Sequence, residues 1–270
     1  MKDARVQYVI GDIHGEARLL DLTIEAAIMD AQARGRSPRF TFLGDLIDRG
    51  PDSMQCVETV SKVLNLFPGS RLHLGNHDQF FLEAMDENGS FMNAVNWLKC
   101  GGQSTLASYG AEDLEEMRYV VLEHYPHHLE MMKNASILTE DGPFIFVHAG
   151  IRPGIPLSEQ DPEDLLWIRH PFLRSRDQFP RPVVHGHSIN TNRKPWVTEN
   201  RIGIDTGACI CGLLTTLVID PIERSLEFRQ TVSGQVIPVD PFVLNLGSGT
   251  ILDRLPELFD ESISPTATAK

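Results

Sequence analysis

The sequence predicts a layered α/β fold, with central mixed β-sheets flanked by helices and interrupted by a helical insertion. Three observations predict it. Residues up to 85 form three successive strand, turn and helix units, residues 91–133 are helical in pattern with no good strand, and short β runs recur after Pro143 without long helices between them.

The elements follow in order. Residues 7–10 are a short β-prone run ending at Gly11, and residues 17–33 carry Leu19, Leu20, Ile24, Ala27 and Ile28 at helical spacing. Residues 40–43 lead to a helix from Pro51 to Leu66, where proline suits the first turn because its missing N–H has no intrahelical partner there. Residues 71–74 lead to a third helix near 79–85. Residues 91–133 are acidic and broken at Cys100-Gly101-Gly102 and Tyr109-Gly110; they are expected to lie over one end of the sheet as a cap that shapes a substrate groove. After the turn Glu140-Asp141-Gly142-Pro143, strands are expected at 144–147, 182–184, 201–204, 213–219 and 226–231, as a mixed or antiparallel sheet packed against the first half. The main domain is thus placed at 1–232 and a C-terminal extension at 233–270. Within that extension Phe242, Val243, Leu244, Ile251, Leu252, Leu255 and Leu258 are apolar enough to dock, whereas 262–270 are polar and expected to be disordered.

Composition narrows the function. The 24 Lys and Arg against 37 Asp and Glu give a net charge of −13, which repels a nucleic-acid backbone, and no Lys/Arg block offsets it. Residues 1–10 hold charges and only a short apolar run, so neither a signal peptide nor a membrane span of about 20 apolar residues is expected, and a cytoplasmic protein without nucleic-acid or membrane partners follows. Cys56, Cys100, Cys209 and Cys211 are too few and too irregular for a disulfide framework, and read as free, mostly buried thiols. The lone Cys209-Ile210-Cys211 lacks the four ligands of a structural zinc.

The chemistry gathers where the strands end. Gly11-Asp12-Ile13-His14-Gly15, Gly44-Asp45-Leu46-Ile47-Asp48-Arg49-Gly50 and Gly75-Asn76-His77-Asp78 follow the first three strands, and in an open α/β sheet such loops converge on one crevice. So many ionisable groups cannot share an interior without partners, because unpaired buried charge costs several kcal/mol, and metal ions supply those partners. Asp12 and His14, two residues apart on an extended loop, point the same way and can hold one ion, while Asp45 has two oxygens and can bridge to a second. Val147-His148-Ala149-Gly150 and His185-Gly186-His187 place more imidazole at strand ends. Oxygen and nitrogen ligation without thiolate suits manganese, iron or zinc. GxGxxG and GxxxxGK[ST] are both absent, which argues against a dinucleotide or P-loop site. His73, His124, His127, His128 and His170 lie outside these motifs and read as surface or packing residues.

GDIHG, GDLIDRG, GNHD, VHAG and HGH, in that order across residues 11–187, resemble the metallophosphoesterases, and specifically the phosphoprotein phosphatase branch. Weaker similarity extends to about Thr231. The resemblance implies a calcineurin-like fold and two metal ions, manganese first, with iron or zinc as alternatives. It implies Asp12, His14 and Asp45 as ligands of one ion, and Asp45, Asn76, His148 and His187 of the other, with Asp45 bridging. It further implies His77 as general acid oriented by Asp48, with Arg49, Arg169 and Asn76 binding substrate phosphate, and a hydroxide on the metals attacking phosphorus in line. His185 neighbours the expected ligand His187, but the match is to a pattern with a single histidine, Gly186-His187. Asp205, in Ile204-Asp205-Thr206-Gly207-Ala208, resembles a segment that supports the site without binding metal.

The substrate is expected to be a phosphorylated protein or a phosphate-containing small molecule. Asp48 matches the protein phosphatase form, where symmetrical diadenosine tetraphosphatases tend to have alanine, whereas Asp78 departs from the usual glutamate of protein phosphatases and matches the tetraphosphatase form. The segments 100–110 and 164–169 resemble small bacterial and phage-type Ser/Thr phosphatases. A protein Ser/Thr phosphatase is therefore the first expectation and a symmetrical dinucleoside tetraphosphate hydrolase the second. A metal-binding regulator without catalysis is the expectation of another class.

Overall fold

A computed structural model describes residues 5–245, 247 and 249–260. In chain order the elements begin with β1 (Val6–Ile10), α1 (Ala17–Ala33), β2 (Pro38–Phe42), α2 (Ser53–Leu66), β3 (Arg71–Leu72) and α3 (Asn76–Met85). The insertion follows as α4 (Phe91–Trp97), a distorted turn through Gly101, α5 (Gln103–Ser108), α6 (Leu114–His124) and α7 (Pro126–Lys133). Then come β4 (Leu138–Asp141), β5 (Phe144–Val147), α8 (Pro162–Trp167), α9 (His170–Leu173), β6 (Val183–His185), β7 (Trp196–Val197) and β8 (Arg201–Gly203). The chain continues through α10 (Ala208–Cys211), β9 (Leu214–Asp220), β10 (Ser225–Val232), β11 (Gln235–Pro238), β12 (Phe242–Val243) and α11 (Leu255–Leu258).

These strands make two six-stranded sheets, β11-β10-β9-β1-β2-β3 and β12-β7-β8-β6-β5-β4. The alternation of side chains along each strand decides what lies on either face. In β1, Val6, Tyr8 and Ile10 face the helices α1 to α7, while Val9 faces the other sheet. In β5, Phe144 and Phe146 meet Val9, Leu43, Leu217 and Ile219 between the sheets, while Ile145 and Val147 pack with Leu165, Ile168 and Phe172 of the α8–α9 layer. The result is four layers, helices outside and two sheets face to face. Burying each of these large apolar side chains contributes roughly 1.5–3 kcal/mol.

The parallel neighbours β1, β2 and β3 in one sheet and β5, β6 and β8 in the other run so that the motif loops leave the same edge of the sandwich. Contrary to the expectation from sequence, β9 and β10 do not belong to the second sheet; β9 pairs antiparallel with β1, in register Tyr8 with Val218, and makes the first sheet mixed. Its pattern satisfies both cores at once, since Leu214 and Val218 face the helices and Leu217 and Ile219 the second sheet. The insertion packs on α2 and α3, with Trp97, Met117, Val121 and Leu129 joining the helical core. The described residues beyond 232 lie against the same body: β11 and β12 each add an edge strand, and Ile251 and Phe259 are buried with the inter-sheet cluster. The expected disorder at 262–270 falls outside the described residues. All four cysteines are free, but only Cys56 is buried; Cys100 is exposed and Cys209 and Cys211 are half-buried. Among the described residues, no helix is long and apolar enough to cross a membrane.

Candidate active site

The loops after β1, β2, β3, β5 and β6 meet at one edge of the sandwich, with their glycines at the points of closest approach. A Cβ at Gly75 would collide with the Asp45 carboxylate, and one at Gly186 with that of Asp12. Backbone strain concentrates here as well. His14, Asp45, Asp48, Arg49 and His187 have φ of 48°, 52°, 70°, 71° and 60°, a region costing non-glycine residues of order 1–3 kcal/mol each. The surrounding hydrogen bonds hold those loops: the Ile13 and His14 N–H groups donate to the Asp45 carbonyl, and the Asp78 carboxylate accepts from Gly75, Asp45 and Leu46 N–H at 3.0, 2.8 and 3.0 Å.

Two donor groups share Asp45. His14, Asp45 and His77 form one, Asp45, His148 and His187 the other, and within each the ligand atoms lie within 4.8 Å of one another. Asp45 turns Oδ2 toward His14 Nε2 at 3.4 Å and Oδ1 toward His148 Nε2 at 3.5 Å. Asn76 Oδ1 lies 2.9 Å from both His148 Nε2 and His187 Nδ1. Asp12, expected beside His14, belongs to neither group: its two oxygens accept the His187 N–H at 3.1 and 3.0 Å.

The chemistry of this donor set fits metal ions. His14 donates through Nδ1 to the Ile47 carbonyl and His148 through Nδ1 to the Leu43 carbonyl, at 2.8 and 2.7 Å, so each ring offers Nε2 as a lone pair. Burial keeps both rings neutral, lowering the His148 pKa and driving that of His14 down to about 3. The lone pair of His148 therefore faces the Asp45 and Asn76 oxygens, and His187 Nε2 is buried without a hydrogen-bond partner. Asp12, Asp45, Asp48, Asp78 and Asp205 are all buried, and burial followed by the carboxylates of Asp205 and Asp45 pushes the Asp12 pKa well up. Cations at this point would remove both defects.

A second constellation adjoins the first. His77 Nδ1 donates to Asp48 Oδ2 at 2.7 Å. Asp48 is fully buried, and also accepts from Thr105 Oγ1 at 2.7 Å and Trp97 Nε1 at 3.0 Å. Burial works against a charged His77, yet the bond to Asp48 and the charges of Asp45 and Asp48 raise its pKa. Arg49 is exposed, and donates at 2.8 Å to His14 Nε2 and to His77 Nε2. Arg169, also exposed, lines a groove of about 620 Å³ together with Arg152, Asp164 and Trp167.

The calcineurin-like phosphoesterase pattern matches residues 7–204. The chain belongs to the calcineurin-like phosphoesterase family. Family members share a dinuclear metal centre, and the chain is a metallophosphoesterase hydrolase. Serine/threonine-protein phosphatase 1 of Salmonella typhimurium is 28% identical to it over 225 residues, covering 79% of this chain and 92% of the relative. The symmetrical bis(5'-nucleosyl)-tetraphosphatase of Ralstonia nicotianae is 32% identical over 234 residues, covering 83% and 68%. The asymmetrical bis(5'-nucleosyl)-tetraphosphatase PrpE of Anoxybacillus flavithermus is 27% identical, covering 77% and 88%. Among solved structures, a protein serine/threonine phosphatase from Saccharomyces cerevisiae superposes with a TM-score of 0.54 at 14% identity, covering 89% of this chain and 81% of its own. That likeness is one of fold.

This phosphoesterase thus gathers Asp12, His14, Asp45, Asp48, Arg49, Asn76, His77, His148 and His187 in one place, with Arg169 lining the groove beside it. His185 stands apart: it is buried, bonded through Nδ1 to the Gly186 carbonyl at 3.0 Å and packed against Phe172, in neither donor group. Asp205 accepts the Gly207 N–H at 2.9 Å and is held close enough to Asp12 to raise its pKa. Sequence reasoning missed Trp97 and Thr105, the donors to Asp48. Thr105 lies in the 100–110 segment, which was read for its resemblance and not for a contact, and Trp97 lies just before that segment. Asp78, read as a marker of substrate class, spends its carboxylate on three backbone N–H groups beneath the site.

Proposed function

We propose that this metallophosphoesterase is a phosphomonoesterase acting on phosphoserine and phosphothreonine side chains, with His77 as general acid. The observation that carries the proposal is the His77–Asp48 pair at 2.7 Å. A serine or threonine alkoxide is a poor leaving group and needs a proton as the P–O bond breaks, whereas a nucleoside phosphate leaves well without one. An imidazole tied through Nδ1 to a buried carboxylate presents Nε2 as the acid, in one tautomer and one orientation.

Asp12, His14 and Asp45 would hold one ion, and Asp45, Asn76, His148 and His187 the other. The two oxygens of Asp45, aimed at different imidazoles, support its bridging role. Asp12 has lone pairs beyond those that meet the His187 N–H. Bound divalent ions, manganese first, supply activation of water and neutralisation of the phosphoryl oxygens. Arg49 and Arg169, both exposed, bind the phosphoryl group, for which the planar guanidinium can donate two bonds at once. When phosphate draws the Arg49 guanidinium away, His77 Nε2 no longer accepts from it, takes up a proton from solvent and passes that proton to the leaving oxygen. Asp48 keeps the ring in place and stabilises it while charged.

Hydrolysis of dinucleoside tetraphosphates is the second reading, favoured by the similarity to the Ralstonia nicotianae protein. Parallel kinetics on phosphoserine, phosphothreonine and phosphotyrosine peptides and on diadenosine tetraphosphate, with manganese defined, separate the two. The proposal expects kcat/KM at least about tenfold higher on phosphoserine or phosphothreonine, which is about 1.4 kcal/mol in transition-state free energy. The same margin in favour of the tetraphosphate would overturn it.

A further inference from the structure

Outside this site, a third donor group joins the insertion to the body of the protein. Glu58 stands on α2, and His127 and His128 on the first turn of α7. Their ligand atoms all lie within 4.8 Å of one another. His127 Nε2 and His128 Nε2 approach the same oxygen, Glu58 Oε2, at 2.9 and 3.0 Å, and the two rings are 4.4 Å apart. None of these residues belongs to the motif loops, and none has a part in the proposed phosphoester chemistry.

The geometry points to a separate transition-metal site at Glu58, His127 and His128, suited to zinc. Two imidazole nitrogens and one carboxylate oxygen supply three of the four ligands of a tetrahedral zinc, and water completes the set. That fourth position is open here, because the side chain of His127 is 48% exposed while that of His128 is fully buried. A mixed nitrogen and oxygen set of this kind favours zinc and its transition-metal neighbours over magnesium or calcium, which prefer oxygen alone.

The inner imidazole is already oriented. His128 Nδ1 is 2.8 Å from the Tyr109 hydroxyl, which leaves Nε2 toward Glu58. An outer hydrogen bond of this kind fixes the tautomer and orientation of a metal-binding histidine. Tyr109 is itself held by stacking on Phe81 and by edge contact with Tyr125. Lys62 sits on the other Glu58 oxygen, Oε1, at 3.1 Å and leaves Oε2 to the histidines. An ion here would clamp α7 to α2, two helices that share one apolar core through Val57 and Leu129.

Equilibrium dialysis of the chelator-treated full chain against zinc, read by metal analysis per chain, tests the site. The test compares the wild type with His127→Ala and with Glu58→Gln. Each variant should bind one zinc fewer per chain than the wild type, with phosphatase activity in manganese retained, and zinc should raise the thermal midpoint of the wild type more than that of either variant. His127 lies at the surface, so its removal leaves the fold intact. Equal zinc stoichiometry in the wild type and His127→Ala would overturn the inference.

Discussion

Replacing Thr105 by valine isolates the support of the proposed acid. The hydroxyl donates to Asp48 Oδ1 at 2.7 Å and accepts the Asp48 N–H at 3.0 Å, in a position with no solvent exposure. Valine keeps the shape, so the loss is chiefly one hydrogen bond to a charged carboxylate, worth about 1.5–3 kcal/mol. Water cannot replace the lost donor at a fully buried carboxylate. The Asp48 N–H retains Ser53 Oγ at 3.1 Å, and the carboxylate retains Trp97 Nε1 and His77 Nδ1, so the fold should survive. Urea denaturation should show a loss of about 2 kcal/mol at an unchanged m-value. Turnover of a phosphoserine peptide should fall while metal content stays constant, and Thr105→Ser, which restores the donor, should recover most of both losses. A stability change within about 0.5 kcal/mol, the range of an ordinary surface substitution, would refute this reasoning.

Two other perturbations follow from different parts of the molecule. Burial opposes the charge on Asp220, but hydrogen bonds from Arg36, the Glu223 N–H and Arg34 outweigh it and hold the pKa at about 2, below the usual 3.8. A depressed carboxyl pKa stabilises the fold above its unfolded value and loses that stability as pH falls through the folded value, so Asp220→Asn should cost about 2 kcal/mol at neutral pH. The gap between variant and wild type should close as pH falls from about 4 toward 2; a gap independent of pH in denaturation curves would reject the linkage. Gly186→Ala puts a methyl against the Asp12 carboxylate and must shift the His187 loop, so equilibrium dialysis should show weaker manganese binding; unchanged affinity would mean that the loop yields without moving His187.

The layers were legible where one strand face meets helices and the other meets a second sheet, because such strands are almost wholly apolar. β1, which leads to Gly11 and has Gln7 as its one polar residue, and β5, which leads to His148, are of this kind. Four short strands at or next to a sheet edge, β4, β7, β11 and β12, were not. β4 carries Glu140 and Asp141 and was read as a turn, and β7, β11 and β12 are too short for a period of two to emerge. The attachment of β9 to β1 joins residues some two hundred positions apart, which no local pattern encodes. At the site, the motif residues announced themselves by type and by their place after a strand. Trp97 and Thr105 did not, because their role exists only once the insertion folds back over Asp48. His127 and His128, read as surface or packing residues, acquire a common partner only when α7 lies on α2.

The central claim is that His77 protonates a poor leaving group. Its most direct test is the His77→Asn variant, assayed on a phosphoserine peptide and on p-nitrophenyl phosphate at fixed manganese. The account predicts a loss of about 10²- to 10⁴-fold on the peptide and a far smaller loss on p-nitrophenyl phosphate, whose leaving group needs little protonation. Equal losses on the two substrates, with metal content unchanged, would contradict it.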